Sequence, residues 1–356
     1  MRNYIAAGLV ALGASPAVAG GIERNPQSMN ILFQQGRYVE VGATYGAPRV
    51  SGNAPGATGN IARNFFTGSI SYKADINEQW SYAIILDQPF GADVMYPTGT
   101  AAILTGATGK ISNTSLTGIL RYKFGNGFSA HAGLRSSWTS GSVNLPAFAY
   151  TMSTNTDQAW GYLVGVAYEK PEIAMRVALT YQSAIKHSFR ATETGPGAFP
   201  QASTRFTTKM PESLNLEFQT GVAEDTLVFG SVRYVKWKDF DITPPQFNMA
   251  TGSSLVAYQK NSMTYTLGVG RRFNENWSGS LSLSHDTGNG NPTSNLGPTG
   301  KRTSIGVGAS YTLDAMTISG GIQYTKLGSA TTVPPIGGQF GKNSAIGAGI
   351  RVGFRF

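Results

Sequence analysis

The end of the chain, residues 343–356, reads NSAIGAGIRVGFRF and decides how the rest is interpreted. Counting back in twos from the last residue gives an unbroken apolar set, whose members are Phe356, Phe354, Val352, Ile350, Ala348 and Ile346. The residues between them are glycine or arginine. Because successive side chains of a β-strand point to opposite faces, this period of two predicts a strand with one apolar and one polar face. The apolar face either covers the core of a soluble sheet or contacts lipid on the outside of a membrane β-barrel.

The composition of the chain is poor in charge for a soluble protein. Of its 356 residues, 13% are charged and 41% are hydrophobic, whereas about a quarter of the residues of a typical soluble domain are charged. The absence of cysteine excludes disulfides and cysteine-based metal or redox sites. The formal charge is +9, but lysine and arginine are scattered singly, so no nucleic-acid partner is expected. A basic surface instead fits anionic lipid, lipopolysaccharide or an anionic solute.

The N-terminus has the parts of a secretory signal peptide. Arg2 supplies positive charge, residues 4–14 form a short apolar core, and Ala17-Val18-Ala19 is an A-x-A cleavage site. We therefore predict a signal peptide over residues 1–19. No later stretch approaches the ~20 apolar residues of a spanning helix. The exported chain is thus expected to be either a soluble periplasmic protein or an outer-membrane barrel.

The alternation of the C-terminal strand is repeated along the whole chain. Thirteen further stretches show it, at residues 38–47, 66–72, 80–86, 116–124, 128–134, 162–168, 175–181, 214–218, 227–237, 265–269, 277–283, 305–311 and 316–324. Short, turn-rich links alternate with long links, and the long ones cover residues 48–60, 91–110, 141–156, 184–208, 239–260, 286–300 and 328–342. Short periplasmic turns, long extracellular loops and an even number of strands are typical of bacterial outer-membrane barrels. We therefore predict an all-β fold, a transmembrane antiparallel β-barrel of about 14 strands over residues 37–356, after a short N-terminal segment over residues 20–36.

Several short motifs, in their order along the chain, resemble landmarks of the FadL/TodX (OMPP1) family of outer-membrane channels for long-chain fatty acids and hydrocarbons. They are Arg24-Asn25-Pro26-Gln27-Ser28-Met29, Arg49-Val50-Ser51-Gly52, Trp160-Gly161-Tyr162, Tyr168-Glu169, Ala178-Leu179-Thr180-Tyr181-Gln182-Ser183, Pro211-Glu212, Val235-Lys236-Trp237 and Asn276-Trp277. The chain departs from the family at Gln27, where the family has alanine, and at Met210, where it has leucine. Its N-terminal segment is also shorter than the family's plug.

The resemblance implies a monomer in the bacterial outer membrane that passes hydrophobic small molecules, such as fatty acids, by passive diffusion and without a cofactor. Asn25 and Pro26 would belong to a reduced plug that enters the lumen. Phe356 resembles the terminal aromatic residue that the barrel-assembly machinery recognises when such proteins are inserted. Outer-membrane lipid and lipopolysaccharide are the expected surroundings.

The third predicted strand runs into Asp87-Gln88-Pro89-Phe90-Gly91. Proline removes a backbone donor and glycine weakens a strand. In the FadL family a kink in strand three opens a lateral gap in the wall, so the resemblance implies a lateral opening at Pro89, Phe90 and Gly91. The alternative is that the strand simply ends here and a loop begins.

Two predicted extracellular loops are unexpectedly apolar. Their candidate ligand-binding residues are Tyr96, Ile103, Leu104, Leu145, Phe148 and Tyr150. By resemblance to the family's third and fourth loops, they would form an apolar groove on which a substrate lands. The alternative is that the loops pack on each other as a cap.

Strand alternation directs four arginines into the lumen: Arg121, Arg135, Arg176 and Arg351. A guanidinium group matches a carboxylate, so these residues are candidates for binding a fatty-acid head group. The alternative is internal pairing with inward carboxylates at Glu40, Asp87 and Glu217.

The sequence predicts neither a catalytic nor a metal site. The three histidines, His131, His187 and His285, are dispersed and have no metal-ligand spacing. His285 and Asp286 are neighbours on a strand and face opposite ways, so they make a poor catalytic pair. Two other hypotheses remain, a general diffusion porin for small hydrophilic solutes and a surface barrel that binds an adhesion partner or a phage. The apolar loops count against the porin.

Overall fold

The computed structural model describes residues 22–195, 200–341 and 343–356. Most of these residues belong to one antiparallel sheet that curves round and closes on itself. The predicted signal peptide, residues 1–19, lies outside the described residues. Among the described helices, none is both long and apolar enough to cross a membrane.

Additional strands lie beyond the strands of the wall at one end of the barrel. In chain order they are β1 (Tyr38–Arg49), β2 (Gly52–Asn53), β3 (Phe65–Asp75), β4 (Trp80–Asp87), β5 (Gly91–Met95), β6 (Thr108–Gly125), β7 (Phe128–Leu145), β8 (Tyr150–Thr154), β9 (Asp157–Lys170), β10 (Met175–Gln182), β11 (Ile185–Thr194), β12 (Ala202–Met210), β13 (Ser213–Ala223), β14 (Thr226–Val235), β15 (Asp241–Ile242), β16 (Val256–Ala257), β17 (Ser262–Arg272), β18 (Trp277–Asp286), β19 (Arg302–Leu313), β20 (Met316–Leu327), β21 (Ala330–Thr331), β22 (Gln339–Phe340) and β23 (Asn343–Arg355). The helical elements are 3-10 turns at Asn30–Phe33, Pro146–Phe148, Pro171–Ile173 and Trp237–Asp239, and one α-helix, α1, at Pro245–Thr251.

Fourteen strands form the wall, counting β4 and β5 as one interrupted strand. They are β1, β3, β4 with β5, β6, β7, β9, β10, β13, β14, β17, β18, β19, β20 and β23. The barrel closes where β1 pairs with β23, from Tyr38↔Arg355 to Arg49↔Ser344. Closure pairs the first wall strand with the last, which is what a strand-built wall needs in lipid. The predicted antiparallel barrel of 14 strands is confirmed.

The outer face of the wall is apolar, as the alternation requires. Leu283 and Val307 point outward and are each 57% exposed, while serines alternate with them on the inner face of β18. Aromatic pairs such as Trp80–Tyr122, with ring centroids 4.8 Å apart, and Trp277–Tyr311, at 5.0 Å, lie at the end with short turns. Such rings form the interfacial girdles of membrane barrels.

The two ends of the barrel differ. At the short-turn end, tight hairpins contain Asn126, Asp225 and Asp314 with φ of 51°, 56° and 50°, the conformation that hairpin turns favour in these residue types. At the long-loop end, predicted links 141–156 and 184–208 are largely strand, and link 91–110 begins and ends in strand. There β8 pairs with both β7 and β11, and β11 pairs with β12, so the sheet continues above the wall.

Candidate functional site

The N-terminal segment, residues 22–36 as described, lies inside the barrel. Ser28 Oγ donates to Glu217 Oε1 at 2.6 Å, and Gln27 Nε2 donates to Thr117 Oγ1 at 3.1 Å. Met29 and Leu32 are fully buried against the inner wall. The segment therefore lies in the lumen and is held by polar contacts with several strands.

Arg121 and Arg176 hold the end of this segment. Each guanidinium carbon stands 4.4 Å from the centre of the Phe33 ring, a cation–π distance. Arg121 also donates to the Leu32 carbonyl at 3.1 Å and pairs with Glu169. Arg176 donates to Asn30 of the segment.

The other two predicted arginines are also engaged by protein groups. Arg135 Nη2 donates to Gln27 Oε1 at 2.7 Å, and Arg351 lies 3.9 Å from Glu40. Carboxylate binding by the four arginines thus stays a prediction, and the contacts agree better with the alternative of internal pairing. Three of the four contact the N-terminal segment, and the sequence did not indicate that role.

A fifth inward arginine escaped sequence reasoning. Arg233 Nη2 donates to Glu23 Oε1 at 2.6 Å, and both side chains are largely buried. β14 had the least regular alternation because its inner face carries apolar Leu227 and Phe229. Both line the lumen beside Arg233. Because apolar residues stand on both faces of β14, its alternation did not show that Arg233 points inward.

A cavity of about 950 Å³ lies between the N-terminal segment and the short-turn end. Its lining is mixed, with polar residues such as Gln219 and Arg351 and apolar ones such as Ile31 and Phe229. The lumen is therefore roomy on this side of the segment.

The wall is interrupted between β3 and β5, at the predicted kink. β3 pairs with β4 only as far as Ile70↔Leu86. Pairing resumes at the isolated bridge Ala62↔Val94. Between these points the described chain shows no ladder of backbone hydrogen bonds, and the contact is from Gly68 N–H to the side chain of Gln88, at 3.2 Å.

The N-terminal segment forms hydrogen bonds with backbone groups of residues 89 and 91 at this break. The amides of Arg24 and Asn25 donate to the Pro89 carbonyl at 2.8 and 3.2 Å. The Gly91 amide donates to the Ile22 carbonyl at 2.7 Å. Hydrogen bonds with the N-terminal segment thus stand in place of a strand ladder between β3 and β5.

The long-loop end is closed by a buried apolar cluster, which we term the apolar cap. It includes Ile22, Phe90, Tyr96, Leu104, Leu145, Tyr150, Met152, Phe189, Phe206, Trp237, Phe240 and Leu255. Phe148 packs against it, whereas Ile103 is 47% exposed and lies outside it. Five of the six predicted loop residues are thus brought together, in the packed arrangement given as the alternative to an open groove. Burial raises the pKa of Tyr96 and of Tyr258 in the loops.

A small cavity of about 70 Å³, the cap cavity, lies within this cluster. Its apolar lining includes Ile22, Met152, Phe189, Phe206 and Leu296. Ala92 of β5 also lines it, one residue from the wall break at Gly91. The cap cavity therefore lies next to the break. Both are bordered by Ile22 of the N-terminal segment and by the start of β5.

The three histidines lie apart from one another, and each contacts a neighbouring side chain. His285 bonds to Thr303 and His131 to Thr180, each at 2.9 Å. His187, in contrast, has its Nδ1 2.9 Å from Asp157 Oδ2, a pairing between β9 and β11 that no local spacing could reveal. In the described part of the chain, no group of His, Asp and Glu side chains is arranged to hold a metal ion.

Comparison with known proteins agrees with this geometry. The family model described as "Outer membrane protein transport protein (OMPP1/FadL/TodX)" matches residues 5–333. The chain belongs to this family. None of the curated protein sequences matches the chain significantly.

Solved structures of the same fold match over nearly the full length. A FadL homologue of Pseudomonas aeruginosa is 15% identical, with a TM-score of 0.75 and coverage of 95% of this chain and 96% of that one. The toluene transporter TodX of Pseudomonas putida is 14% identical, with a TM-score of 0.69 and coverage of 97% and 98%. The toluene transporter TbuX of Ralstonia pickettii is 15% identical, with a TM-score of 0.66 and the same coverage.

Membership of the OMPP1/FadL/TodX family places the barrel in the outer membrane as a transport protein. Short turns of such barrels face the periplasm and long loops face the outside. The apolar cap is therefore extracellular. The cavity of about 950 Å³, at the other end of the barrel, opens towards the periplasm.

Proposed function

We propose that this chain is a passive channel for hydrophobic small molecules, long-chain fatty acids among them, which leave sideways through the wall break at Pro89, Phe90 and Gly91. The observation that carries the proposal is the adjacency of an apolar cavity and a gap in the wall. Ala92 borders the cavity, Gly91 borders the gap, and Ile22 contacts both. A molecule leaving the cavity here would pass into lipid without crossing the polar lumen.

The cavity must enlarge to hold a substrate. At about 70 Å³ it has roughly half the volume of the ~150 Å³ cavity that takes up benzene in another protein. Its lining includes Met152 and Met210, whose unbranched side chains adapt readily to new shapes. A monoaromatic molecule needs modest side-chain shifts, and a fatty-acid tail needs larger ones.

The general porin is the alternative function. It is favoured by the large, partly polar periplasmic cavity. Against it, the N-terminal segment and the apolar cap both lie across the axis of the barrel. Monomeric action, contact with lipopolysaccharide and recognition by the barrel-assembly machinery stay predictions.

Cross-linking the wall break tests the lateral route. The chain has no native cysteine, so a Gly68→Cys/Gln88→Cys pair can be joined across the gap with a short reducible reagent. Leu283→Cys/Ile305→Cys, opposed outward residues of a continuous ladder, is the matched control. Uptake of labelled oleate and toluene by cells producing each variant is then measured before and after reduction.

Uptake should fall on cross-linking the gap pair, recover on reduction, and stay unchanged in the control pair. Equal uptake by the cross-linked and reduced gap variant would refute lateral release. No uptake above that of cells lacking the protein, together with a large ohmic conductance in planar bilayers, would replace the proposal with the porin.

A further inference from the structure

Three threonines and two serines line the cap cavity among its apolar residues, and two of the threonines are buried. Thr139 of β7 and Thr208 of β12 both line it. Each is 2% exposed. Thr208 points the same way as Phe206 and Met210, on the inner face of its strand. The cavity therefore has a polar patch, which we term the hydroxyl patch.

Thr208 has a hydroxyl without a partner. Its Oγ1 is buried and makes no hydrogen bond to any group of the described chain. A buried hydroxyl left unpaired costs about 1–3 kcal/mol, so such groups are rare unless something else satisfies them. Thr208 lines a cavity in which a ligand is proposed to sit.

Thr139 belongs to a hydrogen-bond network in which two hydroxyl donors share one acceptor, the Nε2 of His187. His187 Nδ1 lies 2.9 Å from the carboxylate of Asp157. A carboxylate accepts only, so Nδ1 carries the proton and the Nε2 of neutral His187 accepts. Two hydroxyls compete for that nitrogen, Thr139 Oγ1 at 3.2 Å and Ser137 Oγ at 3.3 Å. Asn113 Nδ2 donates to both oxygens at 2.8 Å and so accepts neither proton.

When Ser137 donates to His187, the proton of Thr139 is free for a group in the cavity. His187 and Asp157 thus orient the Thr139 hydroxyl of the patch, and neither residue lines the cavity. The patch offers two hydroxyls, each able to donate or accept, and it offers no charge. Lys110, the charged residue among the described lining, has an exposed side chain.

We infer that the hydroxyl patch binds an uncharged oxygen-bearing group, a hydroxyl or a carbonyl, of an otherwise hydrophobic molecule. This rests on the proposed function and narrows its substrate class. A pure hydrocarbon would leave Thr208 unpaired. An ionised carboxylate would lose its hydration with no buried cation to replace it, which is costly.

Three matched probes separate these cases: p-cresol, p-xylene and p-toluate share one ring and differ in one substituent. Their dissociation constants are measured by calorimetry on the detergent-solubilised, full-length protein at pH 8. Thr208→Val removes the hydroxyl at nearly constant shape, and Thr208→Ser keeps it. Thr207→Val, on the exposed face of the same strand, is the matched control.

The wild-type protein should bind p-cresol roughly five- to tenfold more tightly than p-xylene, the worth of one hydrogen bond, and p-toluate most weakly. Thr208→Val should remove the preference by weakening p-cresol alone. Thr208→Ser and Thr207→Val should keep it.

Unchanged p-cresol binding in Thr208→Val would mean that the hydroxyl holds only water, and would overturn the patch. Tightest binding of p-toluate would overturn it too, while leaving a hydrophobic-substrate channel. Failure of wild-type protein to bind any of the three probes would overturn the proposed function and the patch together.

Discussion

Glu193 is a fully buried carboxylate at the centre of the extracellular loops. It accepts hydrogen bonds from the Tyr150 hydroxyl at 2.9 Å, from the Thr204 hydroxyl at 2.5 Å, and from the Phe247 amide of α1 at 3.3 Å. Its carboxylate therefore links β8, β12 and α1 by hydrogen bonds. Without it, several buried donors lose their acceptor.

We expect Glu193→Ala to loosen the apolar cap, with a cost of about 1–3 kcal/mol for each donor left unsatisfied. Limited proteolysis of intact cells should cut the extracellular loops several-fold faster. The heat-modifiable gel mobility of the folded barrel should be unchanged, because the wall does not depend on this residue. Glu224→Ala, an exposed carboxylate at the short-turn end, should match the wild type. Equal cutting of the Glu193 and Glu224 variants would contradict the assigned role.

Single residues also mark the limit of sequence reasoning at this site. Strand parity correctly directed Arg121 and Arg135 into the lumen, because parity is a local property. Their partners, Leu32 and Gln27, come from a segment about a hundred residues away and follow no strand period. The Asp157–His187 contact is hidden for the same reason, since it joins two strands.

Among the elements, the N-terminal segment is anchored by side chains as well as by its backbone hydrogen bonds at the wall break. Glu23 is the carboxylate partner of Arg233. Breaking a buried ion pair by removing one partner costs about 3–5 kcal/mol, because the remaining charge is uncompensated.

Glu23→Gln should therefore release the start of the segment from β14. Hydrogen exchange followed by mass spectrometry should show faster deuterium uptake in peptides covering residues 22–35. Asp225→Asn, which breaks the more exposed pair with Arg272, should leave these peptides protected, because exposed pairs contribute little. Equal protection in both variants would show that the pair does not anchor the segment.

A glycine, Gly91, lies where β5 begins after the interruption. A Cβ added at Gly91 would lie 2.8 Å from the guanidinium of Arg24, which stands over the Phe65 ring at the break. A side chain here must therefore displace Arg24 or fill the gap. We expect Gly91→Leu to lower oleate uptake several-fold at an unchanged amount of folded protein in the outer membrane. Gly118→Leu is the control, since a Cβ there meets nothing within 4 Å; similar uptake by both variants would argue against passage at Gly91.

For the whole molecule, the sequence predicted all fourteen wall strands because lipid imposes one rule on every strand. Apolar side chains must alternate outward along the full circumference, as at Leu283 and Val307. The extracellular extension was missed because β11 and β12 face protein on one side and solvent on the other. Their apolar residues, such as Phe189 and Phe206, pack into the apolar cap. They do not face lipid, so the pattern of lipid-facing strands could not identify them.

The barrel axis is blocked twice, by the N-terminal segment near the middle and by the apolar cap outside it. Resistances in series are set by the larger one, so opening either barrier alone should leave the pore closed to ions. Planar-bilayer recordings should show little stable conductance for the wild type, for Glu23→Gln and for Glu193→Ala. The double variant should show distinct ohmic steps, because the 950 Å³ periplasmic cavity would then connect to the outside. A single variant that conducts as well as the double one would leave one barrier in force, and strong conductance of the wild type would make the protein a porin.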